Sequence, residues 1–327
     1  MLARGHVTPQ GLRLFYPGNS AHGQLVRSLG HRPELYPGRW QNIAKRLADT
    51  DWDVAVLSSE LFEFARPAKV ARALRDNLPD YADTVKIITY VRPHAGRALS
   101  QFAENLKLGH DTGDMAQFLD RFLDAGRLRY GDRLGKWHDQ FPGQLIVRPF
   151  VRDQLVKGDV RHDFLSIILG GAPYTIDHGQ NQNASLCLAD LALMRLLQRR
   201  FGEMKDLPFE NRVTFGKVFG ELLHARPSPG DSEKLRLPRG VYDRIRAHCQ
   251  QDAQNMDATW LSTPCFTRAL DKAADDVIAQ PQSLEAETYH TAETLRQAMV
   301  WGDLILRQMQ DQPKAFAKRL RANPAHH

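Results

Sequence analysis

Apolar residues in the first half of the chain gather into short runs separated by stretches of helical spacing. Asp53-Val54-Ala55-Val56-Leu57 is one such run, entering Ser58-Ser59-Glu60. Val85-Lys86-Ile87-Ile88-Thr89-Tyr90-Val91 is rich in β-branched residues and enters Arg92-Pro93. Gln144-Leu145-Ile146-Val147-Arg148 is a third, ending at Pro149. Runs of this kind predict strands buried on both faces. Between them, Trp40, Ile43, Ala44 and Leu47 share one face of a helix, and Pro67 to Leu78 reads as another helix, closed by Pro79. Strands alternating with helices predict βαβ units and a parallel sheet. Ligands on such sheets bind beyond the carboxyl ends of the strands. Attention therefore falls on Ser58, Ser59, Glu60, Arg92 and the residues after Val147.

After residue 150 the pattern turns helical. Asp163 to Leu169, Leu186 to Phe201, Val241 to Gln254 and Thr288 to Gln310 carry helical spacing, and Pro227 to Pro238 is polar and Pro-rich, a lid or a linker. Leu295, Met299, Gly302, Leu306 and Met309 read as a packing face. The expected organisation is an α/β domain over 1–230, a helical extension over 231–313 and a basic tail over 314–327.

Composition narrows the classes. The 327 residues are 42% apolar and 25% charged, which excludes a disordered chain. The length allows one large domain or two ordinary ones. Cys187, Cys249 and Cys265 lie far apart with no CxxC pair, so reduced thiols are expected. With no apolar run of membrane-spanning length and no signal-peptide core at the start, the expectation is a cytoplasmic protein. Lys+Arg 44 against Asp+Glu 38 gives a net charge of +6, which favours anionic ligands without choosing among them. The charge is too dispersed for a nucleic-acid surface. Lys314 to Arg321 is a local basic cluster, either a frayed solvated end or a binding arm. No HExxH and no clustered histidine spacing occurs, so no metal site is expected.

The most informative segment is Val91-Arg92-Pro93-His94-Ala95-Gly96-Arg97-Ala98-Leu99-Ser100. A strand ends at Arg92, Pro93 suits a helix start, and the helix runs to about Lys107. An arginine beside a helix N-terminus grips a phosphate through two parallel hydrogen bonds, and Ser100, two turns along, reaches the same side. Pairing of Arg92 with a carboxylate and a merely exposed Ser100 is the plain alternative. Arg92 and Ser100, eight apart across a strand-to-helix turn, resemble the 3′-phosphate-binding motif of sulfotransferases that use 3′-phosphoadenosine 5′-phosphosulfate (PAPS). Val56-Leu57-Ser58-Ser59-Glu60, Val147-Arg148-Pro149-Phe150, Gly158-Asp159-Val160 and Asp163-Phe164-Leu165 are similar to the bacterial carbohydrate-type members. The likeness covers roughly residues 10 to 200.

The resemblance implies a three-layer α/β fold with a parallel sheet, related to P-loop nucleoside triphosphate hydrolases. It implies PAPS as donor, no metal, and a saccharide or other small hydroxyl or amine acceptor. Arg92 and Ser100 would bind the 3′-phosphate. Glu60 or His22 would serve as base, with helix capping the other reading for Glu60 and an exposed loop position the other reading for His22. The chain departs from the family at its start. The Lys-x-Gly-Thr-Thr loop is absent. Gly18-Asn19-Ser20-Ala21-His22-Gly23 has phosphate-loop spacing, yet Gln24-Leu25 follows it and no clear strand precedes it. Two expectations follow: the natural protein carries the family's first strand, loop and helix upstream of Met1, or the loop has been lost and the chain is a nucleotide-binding relic. A P-loop kinase relative is the further alternative. Asn183 is a candidate helix cap, and Arg148 meets either an anionic substrate or a nearby acid.

Overall fold

The computed structural model describes residues 6–8, 11–18, 21–176, 185–204, 206–227 and 233–322. In chain order its elements are β1 (His6–Val7), β2 (Arg13–Phe15), α1 (Gly23–Ser28), α2 (Tyr36–Ala48), β3 (Val54–Ala55), α3 (Pro67–Asn77), α4 (Pro79–Ala82), β4 (Ile87–Val91) and α5 (His94–Leu108). There follow α6 (Met115–Asp124), α7 (Tyr130–Gln140), β5 (Leu145–Pro149), α8 (Val160–Ile168), α9 (Leu188–Gly202), α10 (Phe209–Ala225), α11 (Arg239–Thr259), α12 (Cys265–Lys272), α13 (Ala292–Asp311) and α14 (Pro313–Ala322). The chain is therefore α/β and mostly helical. It divides into two compact units that interleave along the sequence. One comprises residues 1–92, 130–178 and 258–263, the other 93–129, 179–257 and 264–327. Among the described residues no helix is long and apolar enough to cross a membrane.

Among the described residues, the first unit carries every strand. β2 pairs antiparallel with β1 and parallel with β3, with α1 and α2 as the crossover. β4 pairs parallel with β5 from Ile87↔Leu145 to Val91↔Pro149. Both parallel pairs agree with the βαβ reading. The strands form two small sheets among the described residues, however, and all of β4 except Val91 is only half-buried, so burial on both faces is not met. The side chains of both sheets nevertheless join one core. Phe15, Trp40, Ile43, Leu47, Val70, Leu74 and Trp137 are its buried part, with Ala55, Ile87 and Leu145 packed against it. Trp40, Ile43 and Leu47 fall on one side of α2 as their spacing demands, and Pro67 sits in the first turn of α3, where its missing N–H costs nothing.

The second unit is helical. Leu191, Met194, Leu197 and Phe201 of α9 pack with Phe215 of α10 and Leu306 and Met309 of α13. Gly302 lies close against Leu197, so the small residue in the expected packing face of α13 is what lets these helices approach. Buried polar side chains tie the rest together. Gln198 donates to the carbonyls of Lys107 and Arg212, and Arg195 donates to those of Thr112 and Leu284. His94, fully buried at the first residue of α5, meets Asp252 of α11 at 2.8 Å. The basic cluster at 314–321 is not a frayed end. It forms α14, held to α10 by Asn211 donating to the Pro313 carbonyl and by Arg321 on Glu210 and Thr214.

Candidate functional site

The carboxyl ends of the parallel strands in the first unit gather the groups that the sequence singles out. The Gly18–Gly23 segment does have a strand before it. β2 ends at Phe15, the chain turns, and α1 begins at Gly23, while the parallel partner β3 leads into Ser58. Three residues of strand, Arg13-Leu14-Phe15, are too short to register as a periodic run, which is why spacing alone passes over them. Asn19 and Ser20 lie outside the described residues.

His22 is the hinge between these two loops, and it is buried, with 7% of its surface exposed; the exposed-loop reading is corrected. Its backbone N–H donates to the Ser58 carbonyl at 2.7 Å, and its ring Nδ1 lies 3.1 Å from the Ser58 N–H. If Nδ1 carried the proton, the Ser58 N–H would lose its partner. Nδ1 also lies 3.3 Å from the Ser58 carbonyl, a longer contact than the 3.1 Å one to the N–H. The favoured neutral ring therefore accepts at Nδ1 and bears its proton on Nε2, and Nε2 is buried with no hydrogen-bond partner. Burial pushes the ring's pKa below its ordinary value. The carbonyls of Ser58 and Pro17 oppose that shift, and the positive charge of Arg46 adds to it.

Glu60, two residues beyond Ser58, opens a short 3₁₀ turn over Glu60–Phe64 and is exposed. The capping reading goes to its neighbour: Ser59 Oγ accepts from the Leu61 N–H at 3.1 Å. The structure thus brings the His22 loop and the Ser58–Glu60 loop together. From the same turn, Glu63 pairs with Arg133 Nη1 at 2.7 Å, and the Arg133 guanidinium lies over the Tyr130 ring at 5.6 Å. Tyr130 donates to the Arg92 carbonyl at 2.9 Å. A continuous series of contacts therefore runs from the turn bearing Glu60 to Arg92.

Arg92 follows β4 directly, and its guanidinium sits over the ring of Phe150 at 4.9 Å. Phe150 follows β5 directly, and its N–H donates to the Val91 carbonyl at 2.8 Å. One rung below, Arg148 grips Asp163 through two bonds, Nε to Oδ2 at 2.9 Å and Nη2 to Oδ1 at 2.6 Å, and Tyr90 donates to the same carboxylate at 2.8 Å. Asp163 is 1% exposed. Burial alone would raise its pKa, but the hydrogen bonds from Arg148 and Tyr90 hold it below the ordinary value. Burial and the carboxylate together push the Tyr90 phenol upward. Of the two partners open to Arg148, the nearby acid is the one present.

Ser100 lies two turns into α5, half-buried, and belongs to the helical unit. Asn183 lies outside the described residues, as do residues 228–232 of the Pro-rich stretch. Sequence reasoning missed Tyr90, Glu63, Arg133 and Tyr130. A tyrosine inside an otherwise apolar strand, opposite an arginine on its partner strand, was the available signal for the Tyr90 network. Tertiary pairs such as Glu63 with Arg133 leave no local trace. No family model, curated protein or solved structure matches this chain.

Proposed function

We propose that the chain is a PAPS-dependent sulfotransferase acting on a saccharide or other small hydroxyl or amine acceptor. The observation that carries this reading is Arg92, held at the carboxyl end of a parallel strand and at the entrance to α5, over an aromatic ring from the neighbouring strand. It is the position from which a guanidinium grips a terminal phosphate. Ser100, eight residues on in the sequence, is the second residue of the motif that the segment resembles. The two parallel pairs with helical crossovers support the finer fold reading, a three-layer sheet related to P-loop proteins. Three free, buried cysteines support a reducing, cytoplasmic setting.

The donor, when bound, supplies a sulfuryl group whose bond to the 5′-phosphate oxygen breaks as the acceptor oxygen bonds to sulfur, the electron pair leaving with the bisphosphate. The chain's own groups divide the remaining work. Exposed Glu60 suits the base that takes the acceptor's proton. His22 is less suited to that task, because its Nδ1 is engaged by Ser58 and its Nε2 already bears a proton in the favoured tautomer. It fits better as a donor toward an anionic oxygen. No lysine stands in the loop before α1, and the positive charge of Arg46 acts on His22.

Calorimetric titration with 3′-phosphoadenosine 5′-phosphate tests the reading. Arg92→Ala weakens binding by about 1.5–3 kcal/mol, the worth of hydrogen bonds to a charged group, and Ser100→Ala weakens it less. Unchanged affinity in both variants overturns the assignment. A second reading is a nucleotide-binding relic without transfer, since Gln24-Leu25 stands after the Gly18–Gly23 segment where a phosphate loop carries Lys-Ser/Thr. Under the first reading Glu60→Gln lowers turnover while sparing nucleotide affinity; nucleotide binding by a wild-type chain with no transfer activity selects the second.

A further inference from the structure

The contact between Arg92 and Phe150 is built on more than proximity. β4 and β5 are parallel and in register, with Ile88 opposite Ile146 and Tyr90 opposite Arg148. Side chains two apart on a strand share a face. Arg92 and Phe150 therefore continue the face that carries Tyr90 and Arg148, one step beyond the last paired residues. The rung beneath them is closed by the buried carboxylate of Asp163, which bonds to both Tyr90 and Arg148. The backbone is pinned at the same place. Phe150 N–H donates to the Val91 carbonyl, and Tyr130 donates to the Arg92 carbonyl. Both partners in the cation–ring contact thus stand on immobilised main chain.

We propose that Phe150 is the positioning residue for Arg92: its ring face fixes the orientation in which the guanidinium meets an anionic oxygen. This rests on the proposed function for the identity of the anion, and on the strand geometry for the positioning itself. The chemistry requires an aromatic ring. A cation is drawn to the negative face of a π-system, whereas an aliphatic side chain of similar size offers contact area without that attraction. An arginine free to sample its rotamers would lose much of that freedom on binding, so one already held gives up less. The effect of Phe150 on an anion is thus transmitted through Arg92.

Two measurements test it, on wild type, Phe150→Leu and Phe150→Tyr, each checked for native thermal unfolding. The first needs no ligand: ¹⁵N relaxation of the Arg92 Nε–H. The order parameter should fall in Phe150→Leu and be retained in Phe150→Tyr. An equally ordered Arg92 in Phe150→Leu overturns the proposal whatever the chain binds. The second is titration with 3′-phosphoadenosine 5′-phosphate. Phe150→Leu should weaken binding about fivefold, the usual cost of ordering one rotamer-rich side chain on binding. The same change should have no effect in an Arg92→Ala background. An equal loss in both backgrounds means that Phe150 acts on its own, and the proposal fails. If wild type binds no nucleotide, the sulfotransferase reading fails, and the relaxation measurement still decides the positioning role.

Discussion

His22 shows how one buried hydrogen bond decides what a side chain can do. Its sequence context, a Gly-flanked polar loop, marks it as an accessible base, but the Ser58 N–H takes its Nδ1 and burial disfavours its charged form. The folded state therefore holds the ring neutral to lower pH than the unfolded chain does, where histidine titrates near 6.5. Between those two values the unfolded state binds more protons, so stability rises with pH across that interval. The contribution of His22 is fully present above about pH 6.5 and is lost as pH falls toward the lowered native value. Burial depresses His110 in the same direction, so the total slope is shared. His22→Asn isolates its part, since an Asn side-chain oxygen can still accept from Ser58 and Asn is a favoured residue at a helix N-cap. Urea denaturation from pH 7.5 to 5 should show a steeper loss of stability in wild type than in His22→Asn. Parallel curves would exclude His22 as a source of the acid sensitivity.

At the scale of elements, what the sequence made legible and what it hid separate by the range of the interactions involved. α2, α3 and α5 match their spacing because their apolar stripes are local patterns, and Pro67 and Pro93 mark their starts. β4 is legible because β-branched residues fill it, and β5 because Leu145, Ile146 and Val147 form a short apolar run. β2 is not, since three residues carry no period. Arg92 was legible as a strand-end residue, whereas β3 stops at Ala55, short of Glu60; the burial of His22 was not legible, because Ser58 is 36 residues away. Helix contacts are equally non-local. Gly216 in α10 sits so close to α5 that a Cβ there would lie 2.1 Å from the Lys107 carbonyl oxygen and 2.9 Å from Gln198 Nε2. Backbone oxygen cannot swing aside as a flexible side chain does, so Gly216→Ala should cost about 3 kcal/mol, the upper range for an overpacked core. Gly135, inside α7, has nothing within 4 Å of the same position. Gly135→Ala should therefore stabilise by about 0.5–1 kcal/mol through helix propensity and a less flexible unfolded chain. Chemical denaturation of both variants checks the pair. Similar effects of the same sign would mean that the α5–α10 approach is not the determinant.

On the whole-molecule scale, the decisive fact is that neither unit is a continuous stretch of chain. The β4–β5 pair of the first unit closes only after the chain has passed through 93–129, which belong to the second. The second unit in turn collects α5 and α6, then α9 to α11, then α12 to α14. Each unit closes across chain that belongs to the other, so we expect a single cooperative unfolding transition. The side chains provide a separate probe for each unit. Trp40 and Trp137 are buried in the first unit, whereas Trp301 of the second is 63% exposed, so the change in tryptophan emission reports the first. Cys187, Cys249 and Cys265 are all buried in the second. Burial pushes the Cys249 thiol up to about 12, which further suppresses the reactive thiolate. Thiol labelling in increasing urea therefore reports the second unit. The labelling midpoint should coincide with the emission midpoint, because each unit is assembled from segments that the other unit's chain separates. Labelling complete at a urea concentration where tryptophan emission is still native would show that the helical unit opens alone, and the single-transition expectation would fail.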